Sequence, residues 1–78
     1  MDLTQIAVTT LRVREATEEH SHPTIEECFF FLGGEAKLTV EGNVLTCHEG
    51  DFVQVKCGES HRLEAVKETK VLTIGVQT

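Results

Sequence analysis

The 78 residues carry a net charge of −6, a pI near 5.0 and a hydrophobic fraction of 40%. That balance, with no run of Lys or Arg, excludes nucleic acid and anionic membrane surfaces as partners, since both are held by basic patches. The length fits one small domain, whose thin core would gain from a bound metal or a second subunit.

The N-terminal Met-Asp-Leu-Thr-Gln has neither a basic region nor an apolar core, so no signal peptide is expected. No stretch reaches transmembrane length. Gln5 to Arg14 is rich in β-branched residues and has no breaker. Leu11 and Val13 alternate with Arg12 and Arg14, the pattern of a strand with one polar face. Glu15 to Glu19 is polar and too short for a stable helix, so it reads as a loop leading to His20. Glu27 to Leu32 is a strand with apolar residues on both faces, which predicts cover on both sides by a second sheet or a second subunit. Gly33-Gly34 turns the chain. Glu35 to Val40 places Ala36, Leu38 and Val40 on one face. Glu41-Gly42-Asn43 reads as a hairpin turn, because Gly and Asn tolerate positive φ. Val44 to Cys47 returns, and His48-Glu49-Gly50 turns again. Phe52 to Val55 is a strand, and Lys56 to Ser60 a loop around Gly58. His61, Leu63 and Ala65 alternate with Arg62 and Glu64, which puts His61 on an apolar, inward face. Val66 to Thr69 turns, and Lys70 to Val76 closes the chain as a strand.

Seven short strands without a substantial helix predict an all-β fold, a small antiparallel β-barrel or jelly roll. Seven strands in so short a chain leave edges uncovered, and exposed edges invite pairing. A homodimer is therefore expected. The three cysteines are odd in number and lack CxxC spacing, which predicts free thiols in a reducing cytoplasm.

The stretch from His20 to Gly34 concentrates the chemistry. On an extended backbone His20 and His22 point to one face, roughly 6–7 Å apart along the strand. Each offers a neutral ring nitrogen, which zinc, iron, nickel and manganese accept. A nearby carboxylate can add an oxygen ligand. Counted from His22, Glu26 falls on the histidine face and Glu27 on the other, but Pro23 interrupts the alternation. Either Glu can face the metal, and the pattern does not decide between them. Phe29 and Phe31 follow Glu27 at even spacing and read equally well as cavity wall or ordinary core. His48, in a turn, reads as a surface residue. Cys57 reads as a loop residue, and Cys28 and Cys47 as packing residues. Arg12 and Arg14 read as a solvated strand face, with presentation of cations to an anionic substrate as the alternative.

His20-x-His22, the Glu five residues on and Gly34 together resemble the first motif of the cupin superfamily. Gly50-Asp-Phe-Val-Gln-Val-Lys56-Cys-Gly58-Glu-Ser-His61 is similar to the second. Three positions depart from the pattern: Arg14 where the first motif opens with Gly, Lys56 in place of Pro, and Ala65 in place of a closing Asn. The resemblance implies Glu27 as the carboxylate ligand. It implies one divalent transition metal (zinc, iron, manganese or nickel) held by His20, His22, Glu27 and His61. Three imidazoles and one carboxylate leave one or two positions open for water, dioxygen or a chelating substrate. Proteins resembling this chain include dioxygenases, isomerases, decarboxylases and cyclases, and also binding modules. A metal-dependent enzyme acting on a small organic molecule is expected, with a non-catalytic, metal-dependent binding or sensing module as the alternative. Without a tyrosine, the chain cannot form the Tyr–Cys crosslinked site of thiol dioxygenases.

Overall fold

The computed structural model describes residues 2–78. Among them there is no helix, and so none long and apolar enough to cross a membrane. Seven strands follow one another: β1 (Asp2–Leu11), β2 (Ile25–Gly33), β3 (Glu35–Val40), β4 (Asn43–His48), β5 (Phe52–Val55), β6 (His61–Ala65) and β7 (Thr69–Gln77). They form two antiparallel sheets. One has the order β1-β7-β2-β5 and the other β4-β3-β6. Hydrogen bonding does not run continuously around the molecule. The fold is thus the jelly-roll form of the expected architecture, two facing sheets, and not a closed barrel.

Alternation sets the faces. Phe29 and Phe31 of β2, Ala36 and Leu38 of β3, Val55 of β5, Leu63 and Ala65 of β6 and Val71 of β7 all turn inward and are buried. Burying each Leu, Val or Phe contributes about 1.5–3 kcal/mol relative to exposure. The doubly apolar β2 is covered on one side only. Phe30 and Leu32 point outward and stay exposed, so the expected second cover does not come from this chain.

Two expectations need correction at the turns. The first strand ends at Leu11 and does not continue to Arg14. Arg12 to Glu15 form a turn closed by Glu15 N–H donating to the Arg12 carbonyl at 2.9 Å, with Arg14 at φ 73°. That is the backbone of a type II turn, whose third residue needs positive φ. Secondly, the β3–β4 hairpin turns on Glu41-Gly42, with φ 48° and 79°, while Asn43 already pairs with Val40. Both central residues at positive φ make a two-residue type I′ loop. Glu41 accepts this conformation because Ser60 holds it twice: Glu41 N–H donates to the Ser60 carbonyl and Ser60 N–H to Glu41 Oε2, each at 2.8 Å. Glu15 to Glu19 is, as expected, a loop, outside any strand. It runs antiparallel beside β6 through Arg14 N–H to Ala65 O, Ala65 N–H to Glu15 O, and Thr17 N–H to Leu63 O, all 2.9–3.0 Å. This irregular edge delivers His20 to the cavity between the sheets.

Candidate metal centre

Each of the four residues arrives on a separately fixed piece of backbone. His61 opens β6, and its N–H and carbonyl exchange hydrogen bonds with His20 at 2.9 and 3.1 Å. His20 and His61 therefore sit side by side, with ring centroids 4.3 Å apart. His22 is tied to the loop before β6 by Gly58 N–H, which donates to the His22 carbonyl at 2.6 Å. That loop is shaped by Lys56 N–H donating to Glu59 Oε1 at 2.8 Å. Lys56 thus uses the very N–H that the proline of the related motif lacks. Glu27 enters from β2 on the opposite sheet.

Glu27 Oε1 is the focus. His20 Nε2 lies 3.8 Å from it, His22 Nε2 3.7 Å and His61 Nε2 2.9 Å. Ligand atoms of His20, His22 and Glu27 lie within 4.8 Å of one another. Two atoms bound to one ion at about 2.1 Å can be at most about 4.2 Å apart, and all three imidazole-to-carboxylate distances meet that limit. Glu26 falls on the other face of β2, and it is Glu27 that the strand turns toward the histidines, because the alternation restarts at Ile25, where β2 begins.

The tautomers follow from the backbone. His20 Nδ1 is 2.9 Å from the Glu18 carbonyl, and His61 Nδ1 is 3.2 Å from the Glu59 carbonyl. A carbonyl only accepts, so in the neutral ring Nδ1 carries the proton and Nε2 keeps its lone pair. In both cases the anchor is the carbonyl two residues earlier, a repeated outer-shell device of the kind that orients metal-binding histidines. Glu27 Oε1 and His61 Nε2 are both buried, 2.9 Å apart, and not in hydrogen-bond geometry. Buried polar atoms left without a hydrogen-bond partner are costly, and a cation within reach of both Nε2 and Oε1 would satisfy the two together. The donor set fits a divalent metal on that observation.

Burial grades across the centre. The side chains of His61 and Glu27 are 4% and 8% exposed, those of His20 and His22 43% and 40%. The centre is thus anchored on its inner side and open on its outer side. It borders a cavity of about 290 Å³. Phe29 lines that cavity, its ring centroid 5.8 Å from that of His61, whereas Phe31 belongs to the core. His48 stands apart, 59% exposed, near Glu35 and Asp51. Cys57 is exposed in its turn, and Cys28 and Cys47 are free thiols packed in the sheets. Arg12 and Arg14 do not line the cavity, which removes them as cations for a substrate. Sequence reasoning missed Gln5, Thr9, Thr17 and Thr73, which do line it. A signal was there: Thr9 and Thr73 are polar at positions in phase with the buried Leu11 and Val71.

Comparison with known proteins gives a consistent picture. A family model described as "Cupin domain" matches residues 7–75. A crystal structure of a conserved protein of unknown function from Streptococcus pyogenes is 26% identical, with a TM-score of 0.89 over 94% of this chain and 63% of that one. A predicted oxalate decarboxylase from Thermotoga maritima is 22% identical, with a TM-score of 0.93 over 97% of this chain and 68% of that one. A protein from Acidithiobacillus ferrooxidans, provisionally assigned as a sugar phosphate isomerase, is 28% identical, with a TM-score of 0.84 over 94% of this chain and 49% of that one. The chain therefore spans between about half and two thirds of the length of these structures. None of the curated proteins matches it.

Proposed function

The chain belongs to the cupin domain family, and from that premise we propose that it is a metal-dependent enzyme of dioxygenase or isomerase type acting on a small organic molecule. His20, His22, Glu27 and His61 hold one divalent transition metal: zinc, iron, manganese or nickel. The observation that carries the reading is the orphaned pair, Glu27 Oε1 and His61 Nε2, buried 2.9 Å apart without a hydrogen bond. Such a metal supplies Lewis acidity or a site for dioxygen. The chain's own residues do the rest. Glu18 and Glu59 carbonyls hold two rings in register, Phe29 and Leu63 exclude water from the inner wall, and Glu27 offers a carboxylate that can accept a proton from a bound substrate. The half-exposed His20 and His22 leave the outer side accessible, as catalytic sites require and structural ones do not.

A second reading has its own support. Beyond the four ligands, no lining residue is titratable, so no separate acid or base stands ready. A non-catalytic, metal-dependent binding or sensing module needs none. The decarboxylase and isomerase names among the neighbours favour the enzyme.

Metal content decides the site. His61→Ala is expected to lose most bound metal while remaining folded, and His48→Ala to keep it. Equal loss in both variants would sink the ligand assignment. Screens for oxygen uptake and for isomerisation on the metal-loaded protein then separate enzyme from binder.

We further infer a homodimer formed through the outer face of the four-stranded sheet, and a cytoplasmic location. The second rests on three unpaired cysteines, which suit a reducing compartment.

A further inference from the structure

The two halves of the cavity differ in chemistry. One half holds the histidines and Glu27. Across the sheet, Glu27 pairs with Gly75, and Gly75 with Gln5, so the three form one inward row. Two strand spacings, about 10 Å, separate Glu27 from Gln5. A Cβ at Gly75 would lie 3.0 Å from Thr4 Oγ1, 3.3 Å from Gln5 Cβ and 3.6 Å from Gln5 Oε1, so the side chains of Thr4 and Gln5 lie over the space that the glycine leaves. Thr73 is the next inward residue of β7, and Thr9 pairs with Val71 one step further. An amide and two hydroxyls thus mark the far half. Leu11, Leu63 and Val71 supply apolar wall, and Thr17, whose hydroxyl already accepts from Leu63 N–H, also lines the cavity. No lining residue is Lys or Arg.

Charge counting gives the ligand class. A divalent ion with one carboxylate leaves one positive unit, enough for one anionic head. A second anion on the same ligand would find no cation in the far half, whose lining holds no Lys or Arg. Glu18 and Glu19 flank His20 on the open side of a chain with net charge −6, and they oppose approach of a multiply charged ligand. We propose that the cavity takes a small molecule with one singly anionic, chelating head and a neutral, hydroxyl-bearing tail, and that Gln5, Thr9 and Thr73 are the residues that read the tail. This rests on the metal reading above. It sets phosphate-bearing substrates aside, in contrast to the isomerase name carried by one structural neighbour.

The test uses zinc-loaded protein, with zinc stoichiometry measured first, and NMR titration with three probes sharing a 2-hydroxy-acid head. Glycerate has a hydroxyl tail, 3-phosphoglycerate a phosphate tail and lactate a bare methyl. Glycerate is expected to bind at least tenfold more tightly than 3-phosphoglycerate. Gln5→Leu and Thr73→Val each weaken glycerate about three- to tenfold, the worth of one hydrogen bond, and leave lactate affinity and zinc content unchanged. Equal or tighter binding of 3-phosphoglycerate overturns the proposal, as does no binding of glycerate, or variants that bind all three probes as the parent does. If zinc binds at one per chain and the probes are not discriminated, this proposal fails alone. If zinc does not bind, the metal reading fails and takes it along.

Discussion

Glu26 and Glu27 are chemically identical neighbours on one strand, and the pleat alone separates them. Glu27 turns inward to three imidazole nitrogens, and Glu26 turns to the outer face. Glu27→Gln is therefore expected to weaken zinc binding by tenfold or more, and Glu26→Gln to leave it within twofold. Titration with a chelating indicator checks the order; the reverse order would place the ligand on the wrong face. Glu26 has a different effect, on Cys28. Burial first, then the charge of Glu26, raises the Cys28 thiol above its ordinary 9.0. Burial and Asp51 raise Cys47 in the same way. A raised pKa means less thiolate at a given pH. At pH 8 iodoacetamide should therefore modify exposed Cys57 first, with Cys28 and Cys47 lagging. Glu26→Gln should speed Cys28 and not Cys47. The linkage sign follows: unfolded thiols release protons first, so this contribution to stability is intact below pH 9 and falls as pH rises through and beyond it. Mass spectrometry of the alkylated protein reads the order, and early labelling of buried Cys47 would contradict it.

At the scale of elements, the strands were legible because Val, Leu, Ile and Phe alternate with polar residues along most of the chain. Their ends were not. Leu11 to Arg14 alternates as a strand should, yet β1 stops at Leu11, because Arg14 and Glu15 bond to Ala65, some fifty residues away in sequence. Backbone bonds of that kind leave no mark on side-chain pattern. Glu15 to Glu19 was legible as a loop from its polarity, but its backbone bonds to β6 were not. His61 was legible as inward-facing from Leu63 and Ala65. Its role as a ligand needed a family motif, and Glu27 needed the strand's starting point. Two turn positions of that motif now make opposite predictions. Gly34 sits at φ 93°, and a Cβ there would lie 2.1 Å from the Glu68 carbonyl oxygen and 2.7 Å from Thr69 Cα. Both are backbone atoms in a turn pinned by Val66 and Lys67 N–H to the Glu35 carbonyl. Gly34→Ala is expected to cost about 3 kcal/mol or more, a drop in Tm of over about 10 °C for a domain this size. Arg14 holds positive φ with a side chain, so Arg14→Gly is expected to leave Tm unchanged or raise it, by up to about 1 kcal/mol of stability. Thermal unfolding of both variants tests the pair, and a loss from Arg14→Gly as large as that from Gly34→Ala would contradict the turn assignment.

For the molecule as a whole, the outer face of the four-stranded sheet remains to be accounted for. Register aligns Val8, Leu72, Phe30 and Phe52 in one row across β1, β7, β2 and β5, and Ile6, Ile74, Cys28 and Gln54 in the next. Cross-strand partners share a face, so these eight residues form one uncharged surface on a chain of net charge −6. Ile6 is 62% exposed and Phe52 58%. Four strands span about 15–20 Å, and the two rows about 13 Å along them, a projected patch on the order of 200–300 Å² bounded by Glu26 on one side and Lys70 on the other. Contiguous apolar patches of a few hundred Å² on a small chain often mark an interaction site. A second copy suits it, because a flat apolar sheet face is complementary to itself about a twofold axis, and two such faces pack as the layers of a sandwich do. The cavity opens between the sheets, away from this face, so pairing leaves the metal centre accessible. The 8.7 kDa chain is therefore expected to run at about twice that mass in light scattering at micromolar concentration. Ile6→Glu/Phe52→Glu places two carboxylates against their counterparts in the partner and should give a folded monomer that still binds one metal ion. A parent protein that is already monomeric contradicts the pairing. A dimer unaffected by the double substitution removes this face as its interface.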